Sequence, residues 1–484
     1  MMFTSFLLLT AALQSKPPLV MNGTFDDGLK GWKVEGDAKV TNNALTLGPG
    51  KGVIRQRYDV PGLRILLFTG LIKPSGKDSE AHLRLQCYDK RGRLVMDLTG
   101  GGGKDNVAGI YLKTQASTSY VMLSVEKTKV GGSVTVDDVK LQDDDKDRVE
   151  HKPELDLDAA MNPFWKGNLA WNESALLLSS QGTAPTGRLM FKPTKIVSVR
   201  DSSLSHEYVE GKDFVVEGNM LVATKESSIP KMSDTEFVKG QYPWTELQGR
   251  HIFVTYEHAG KWTGPVPSYQ GDHLPLTIQK LKAKKPMKIV AYGDSITLGI
   301  NVSGFRNVPP YLPPWPTLVQ QELGRIYQNS KVSMVNTALG GMTSQWAKDN
   351  AHDAVATLKP DLVLLAFGMN DFWSLTPAQF KQNIMDTIAV IRKTNPNCEF
   401  LLVGSMKFDP LYTTESPYVE NLAGYPAVLQ SLVGKGIGMF DMTALSDALY
   451  KAKSQKDLAT DPMHPDDFFA RIYAQGAVAA LVQP

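Results

Sequence analysis

Short apolar stretches broken by turn residues fill the first part of the chain. Between about residues 20 and 142 the segments RILLFTGLIK, AHLRLQCYDK, SYVMLSVEK and SVTVDDVKL read as short strands, with Gly-rich breaks such as Gly100 to Gly103 between them. Regularly spaced short strands without a helical period predict a β-sandwich. The charged run from Asp143 to Arg148 predicts a solvated linker. A second β-rich stretch covers about residues 154–280, where KIVSVRDSS, DFVVEGNMLVAT and RHIFVTYEH are strand-like and Glu217-Gly218-Asn219 marks a turn. A lysine-rich connector, Lys280 to Lys288, predicts a second solvated link.

After Met287 the pattern changes. Continuous apolar runs (KIVAY, VSMVN, DLVLLAF, EFLLVGS, GMFDMT) alternate with segments of helical period. The clearest helix opens at Thr376-Pro377-Ala378-Gln379: Thr376 suits the N-cap, Pro377 the first turn, and Gln379 completes a capping box. Phe380, Ile384, Ile388 and Ile391 then fall on one face. Fully apolar strands alternating with helices predict a parallel sheet covered on both sides, with ligands beyond the carboxyl ends of its strands.

Composition narrows the function classes. At ~150 residues per domain, 484 residues suggest three domains, and 42% hydrophobic with 21% charged residues is ordinary for globular protein. A formal net charge of +2 gives no electrostatic footprint for nucleic acid or an anionic membrane. Two cysteines, Cys87 and Cys398, predict buried free thiols, because they fall in different predicted domains. Within Met1 to Ser15 the apolar run from Phe6 to Leu13 has the length of a cleaved secretion signal and is too short to span a bilayer. Nothing later reaches ~18 consecutive apolar residues, so no transmembrane segment is expected.

Candidate chemistry sits at the predicted strand ends. The first strand runs into Gly293-Asp294-Ser295, the second into Asn336-Thr337-Ala338-Leu339-Gly340-Gly341, the third into Gly368-Met369-Asn370-Asp371. Near the C-terminus stands Asp461-Pro462-Met463-His464-Pro465, just before a helix carrying Phe468, Phe469 and Ile472. Taken singly, each has a bland reading: a helix-capping serine, a plain strand–helix turn, an Asn-Asp turn, a structural histidine. Taken together they supply a hydroxyl, a backbone N–H without a side chain in the way, a side-chain amide, and an imidazole with a carboxylate three residues ahead of it.

These four blocks, in this order and spacing across about residues 287–484, resemble the SGNH (GDSL-type) hydrolases. The resemblance implies an α/β three-layer, flavodoxin-like domain. It implies Ser295 as nucleophile, His464 as base and Asp461 as its partner. The oxyanion hole would be Ser295 N–H, Gly341 N–H and the Asn370 amide, with no metal. Gly341 is chosen over Gly340 by its distance from Asn336, and Gly340 stays open; Ile296 stands where the family often has Leu. The opening Asn22-Gly23-Thr24-Phe25, with Gly31-Trp32 and Val136-Asp137-Asp138-Val139, resembles the jelly-roll carbohydrate-binding modules of secreted polysaccharide-degrading enzymes, which often carry a structural calcium.

The layout expected is a signal peptide over 1–15, jelly-roll-like β-sandwiches over 20–142 and 154–280, and the hydrolase domain over 287–484. Trp315, Trp346 and Trp373, in segments after catalytic strands, are candidates to stack on a sugar ring. The function implied is a secreted (periplasmic or extracellular) carbohydrate O-acetylesterase whose partner is an acetylated polysaccharide or oligosaccharide and which engages no nucleic acid. The rivals are a GDSL esterase or lipase acting on lipid or small esters, and a glycan-binding protein without turnover.

Overall fold

The structure is a computed structural model that describes residues 20–60, 62, 64–76, 79–100, 107–114, 118–143, 156–180, 182–239, 244–408 and 419–483. The segment read as a signal peptide, Gly101 to Gly103 and all but Asp143 of the charged run lie outside these residues. The chain divides into two compact units, Met1–Val149 and Glu150–Pro484.

The first unit is one eight-stranded sheet in which every pairing is antiparallel. Its strands are Lys33–Thr41, Ala44–Asp59, Ile65–Ser75, Ala81–Asp89, Leu94–Gly100, Val107–Lys113, Thr118–Lys127 and Ser133–Asp143. The short strands form as read: Leu83, Leu85 and Cys87 of one strand and Val121, Leu123 and Val125 of its neighbour are buried, while His82, Arg84, Gln86 and Met122 between them are partly exposed. A single hydrogen-bonded order, rather than two separate sheets, results because Ala44–Asp59 is long. Its Leu45–Leu47 end pairs with Ser133–Asp143, and its Gly52–Asp59 end pairs with Thr118–Lys127.

The opening motif is a knot of contacts in this unit. Asn22 Nδ2 donates to the Gly28 and Lys30 carbonyls, Trp32 Nε1 donates to the Asn22 carbonyl, and Val139 N–H donates to the Gly23 carbonyl. Among the described residues no three His, Cys, Asp or Glu side chains gather where they could hold a metal ion. The calcium expected from the resemblance therefore has no assigned ligand set. Cys87 and Cys398 are both free and buried, and burial pushes each thiol up to about 12, which makes them unreactive.

In the second unit five strands form an all-parallel sheet in the order Val332–Asn336, Met287–Gly293, Leu362–Ala366, Glu399–Val403, Ile437–Phe440. Helices Trp315–Ile326, Ser344–Ala354, Pro377–Thr394, Val419–Gln430, Met442–Ala452 and Asp467–Leu481 accompany it. The Thr376/Gln379 capping box forms as read, and Phe380, Ile384, Ile388 and Ile391 are buried on one face. Among the described residues no helix is long and apolar enough to cross a membrane.

The lysine-rich stretch is structured. Lys280 and Lys282 end the helix Pro275–Lys282, and Lys288 lies in the central strand. Lys280 Nζ bonds Asp361 Oδ1 at 2.6 Å while Lys288 N–H donates to Asp361 Oδ2 at 2.9 Å. The solvated link expected there is thus the tail of a helix and the start of a strand, anchored by the buried Leu281 and Met287.

The middle β-rich stretch folds into a three-stranded and a five-stranded sheet within this second unit. Its Leu177, Ile252 and Tyr256 belong to the same apolar core as Ile289 and Ile472. Helix Asp467–Leu481, which follows the Asp461–His464 loop, is buried along nearly its whole length. Arg471 donates to the Ala160, Trp171 and Asn172 carbonyls, and Gln475 to Ala160 and Asn162. A fully buried ion pair, Lys453–Glu173 at 2.7 Å, is completed by Tyr256 Oη and Met190 N–H on the Glu173 carboxylate. The Arg471 bonds tie the helix behind the loop to strand Leu169–Ala175, and the Lys453–Glu173 pair ties the end of helix Met442–Ala452 to the same strand.

Candidate active site

Glycine precedes Asp294-Ser295 for a steric reason. A Cβ on Gly293 would collide with Thr297 Oγ1 and the Ala366 carbonyl, so a larger residue would push the turn off the neighbouring strand. Asp294 then caps the short helix Ser295–Leu298, accepting the Ile296 N–H at 3.0 Å. Ser295, the first residue of that helix, keeps its own N–H free of intrahelical bonding. Its Oγ stands 2.8 Å from His464 Nε2.

His464 is fixed on its other side. Nδ1 lies 2.7 Å from Asp461 Oδ2 and 3.0 Å from Oδ1. Asp461 Oδ1 also accepts the Met463 and His464 N–H groups, each at 2.9 Å, so the loop folds back on the carboxylate. A bridge between Ala459 and Pro465 and the bond from Thr460 N–H to the His464 carbonyl close its base. Ser295, His464 and Asp461 therefore form one continuous line of hydrogen bonds.

The charges follow from these contacts. Burial alone would lower the His464 pKa, but the Asp461 charge and hydrogen bond, with help from Asp294, leave it raised above its usual value. Burial alone would raise Asp461, yet the His464 charge and hydrogen bond and the two loop N–H groups leave it lowered. Asp294 is pushed up to about 7 by burial, with the Asp371 charge adding to it.

The second and third blocks converge on the same strand ends. Asn336 anchors its loop by donating to the Thr297 carbonyl at 2.8 Å and accepting the Ala338 N–H at 3.1 Å. Gly340 lies over the serine: a Cβ there would stand 3.9 Å from Ser295 Cβ and 3.2 Å from Ile300 Cδ1. Gly341 takes φ +77°, a conformation that favours glycine, and a Cβ on it would meet nothing within 4 Å. Asn370 Nδ2 donates to the Met342 carbonyl at 3.0 Å, which ties the third strand end to the glycine loop and leaves its second amide hydrogen for a ligand. Beneath it, Asp371 is buried and holds Ser344 through both its N–H and its hydroxyl.

The three tryptophans separate. Trp315 is 1% exposed and stacks on Tyr473 inside the core, so the sugar-stacking role read for it is corrected: Trp315 opens a helix with its ring turned inward. Trp346 is half-buried and tilts against Tyr292 at 5.7 Å. Trp373 is 42% exposed, three residues beyond Asn370, and rests on Phe372 and Phe408. Sequence reasoning missed Asn301, whose Nδ2 reaches Asp461 Oδ2 at 2.9 Å; no spacing rule marks it, since it follows the Ser295 helix in an irregular turn.

Among curated proteins none matches this chain. Among solved structures it is similar to an alpha/beta hydrolase enzyme from the metagenome of Lake Arreo, Spain (20% identity, covering 41% of this chain and 97% of that one, TM-score 0.34). It is similar to a catalytic mutant of an acetylxylan esterase from Geobacillus stearothermophilus (17% identity, 41% and 95% covered, TM-score 0.35). A third similar structure is a two-domain esterase active on acetylated mannans (18% identity, 45% and 53% covered, TM-score 0.36). Residues 291–471, which include Ser295, Gly341, Asn370, Asp461 and His464, match the GDSL-like lipase/acylhydrolase family.

Proposed function

We propose that the protein is a serine esterase that removes O-acetyl groups from a polysaccharide or oligosaccharide through an acyl-enzyme. The observation that carries this reading is the Ser295–His464–Asp461 line of hydrogen bonds. In this mechanism His464 Nε2 takes the Ser295 proton as Oγ attacks the ester carbonyl, while Asp461 holds Nδ1–H and stabilises the imidazolium. The developing oxyanion is received by Ser295 N–H, Gly341 N–H and the Asn370 amide. The sugar hydroxyl leaves with the proton from His464, and water, activated by the same imidazole, releases acetate.

Two features support a carbohydrate ester. Trp373 offers an exposed ring on an aromatic base close to Asn370, suited to the apolar face of a pyranose. Ile300 crowds the space over Gly340 beside Ser295, which favours a small acyl group. Secretion, guided by Met1 to Ser15, completes the reading for a substrate found outside the cell.

The test is acetate release from acetylated xylan, with deacetylated xylan and p-nitrophenyl esters of increasing chain length as comparisons. Release from the acetylated polymer, with p-nitrophenyl acetate preferred over longer esters, is the expected outcome. Preference for long acyl chains would make the protein a lipase, and binding without turnover a glycan-binding protein. Trp373→Ala should raise KM for the polymer by about 2- to 10-fold and leave p-nitrophenyl acetate turnover unchanged.

The base predicts the pH profile. Because His464 must be neutral to accept the proton, kcat/KM falls as pH drops through its pKa in the free enzyme. Asp461 and Asp294 leave that pKa raised, so the acid limb should have its midpoint above ~6.5, the ordinary imidazole value. A rate that stays flat to well below that pH would exclude His464 as base.

A further inference from the structure

The Asp461 carboxylate is held from two directions. Its own loop supplies the Met463 and His464 N–H groups to Oδ1. Among the described residues one side chain outside that loop also donates to the carboxylate: Asn301. Its Nδ2 gives one hydrogen to Asp461 Oδ2 at 2.9 Å and the other to Thr460 Oγ1 at 2.7 Å. Oδ2 is the oxygen that lies nearer His464 Nδ1.

Asn301 is built for this place. It is 2% exposed, and a buried amide is costly unless its hydrogens are used; both are spent on the Asp461 loop. It also sits at φ +79°, a left-handed conformation that Asn tolerates better than most side chains. Its segment is joined to the nucleophile, since Gly299 and Ile300 N–H both donate to the Ser295 carbonyl at 3.0 Å. Asn301 thus links the stretch carrying the hydroxyl to the carboxylate that orients the imidazole.

We propose that Asn301 is a positioning residue for the esterase reaction, aiming Asp461 Oδ2 at His464 Nδ1 and holding their loop within hydrogen-bond reach of Ser295. This rests on the Ser295–His464–Asp461 reading above. Asn301 touches no substrate in this role and acts through Asp461. The charged groups facing the imidazole are Asp461 from its own loop and Asp294 from the Ser295 turn.

The experiment is a double-mutant cycle on p-nitrophenyl acetate, with kcat and KM measured separately. Asn301→Gly keeps the left-handed turn and removes both bonds. It should lower kcat about 10-fold, the scale of a lost hydrogen bond to a charged group, with KM nearly unchanged. In an Asp461→Ala background the same substitution should cost less than about 2-fold, because the group it acts through is gone. Asn301→Asp keeps the side-chain size and carries the same cycle should the Gly variant fail to fold. At alkaline pH its ionised carboxylate has no hydrogen to give, and the loss should be at least as large.

Ser295→Ala, measured alongside, separates the two readings. Full activity in Ser295→Ala overturns the serine mechanism itself. An inactive Ser295→Ala with wild-type kcat in the Asn301 variants overturns this proposal alone. An Asn301 loss of equal size with and without Asp461 also overturns it, since Asn301 would then serve the fold generally.

Discussion

Replacing Ser295 by Ala is expected to lower ester turnover by about 10⁴–10⁶-fold while the protein stays folded. The substitution removes one oxygen, and that oxygen is the partner of His464 Nε2 at 2.8 Å. Asp294 still caps the helix through the Ile296 N–H, and the Ser295 backbone bonds do not involve the hydroxyl. Thermal unfolding should therefore be nearly unchanged. The activity that survives would come from the N–H donors acting on an ester attacked directly by water. Measured kcat on p-nitrophenyl acetate checks this, and a variant within tenfold of wild type would remove Ser295 from the mechanism.

Asn370→Ala should cost roughly 10²–10³ in kcat, about 2.7–4 kcal/mol, with KM little changed. The asymmetry is the point: an oxyanion donor works mainly when charge develops on the carbonyl oxygen, so its loss falls on the transition state. The variant also loses the bond to the Met342 carbonyl, which slackens the tie between the third strand end and the glycine loop. That loss is shared by ground and transition states and should appear as a modest fall in unfolding temperature. Equal effects on kcat and KM would mean that Asn370 only shapes the loop.

Much of the region from about residue 287 onward was legible because its signals are local. Apolar runs such as Leu362–Ala366 and Phe400 to Val403 mark the buried parallel strands, and the Thr376–Gln379 capping box is contained in four positions. The four blocks were readable for a related reason. Each sits at a strand end or in a tight loop, where Gly293, Asn370 and the Asp461–His464 spacing are constrained within a few residues.

What escaped depends on contacts far apart in the chain. The middle β-rich stretch reads as a domain by itself, yet Arg471 bonds the Trp171 and Asn172 carbonyls, and Lys453 pairs with Glu173, across about three hundred positions. Local periodicity carries no trace of such bonds. Trp315 misled for a similar reason: a tryptophan opening a helix after a catalytic strand has the same local sequence whether its ring meets solvent or Tyr473. Asn301 was invisible because its role depends on a loop some 160 residues away.

In the proposed reaction an acyl group passes through Ser295. A p-nitrophenyl alkylphosphonate, which mimics the tetrahedral intermediate and resists hydrolysis once attached, tests it most directly. The protein is incubated with the reagent, activity is followed, and the modified peptide is identified by mass spectrometry. One phosphonyl group on Ser295, acquired in step with loss of activity and absent from Ser295→Ala, is the predicted result. Inactivation with the label on another residue, or full labelling of Ser295→Ala, would contradict it.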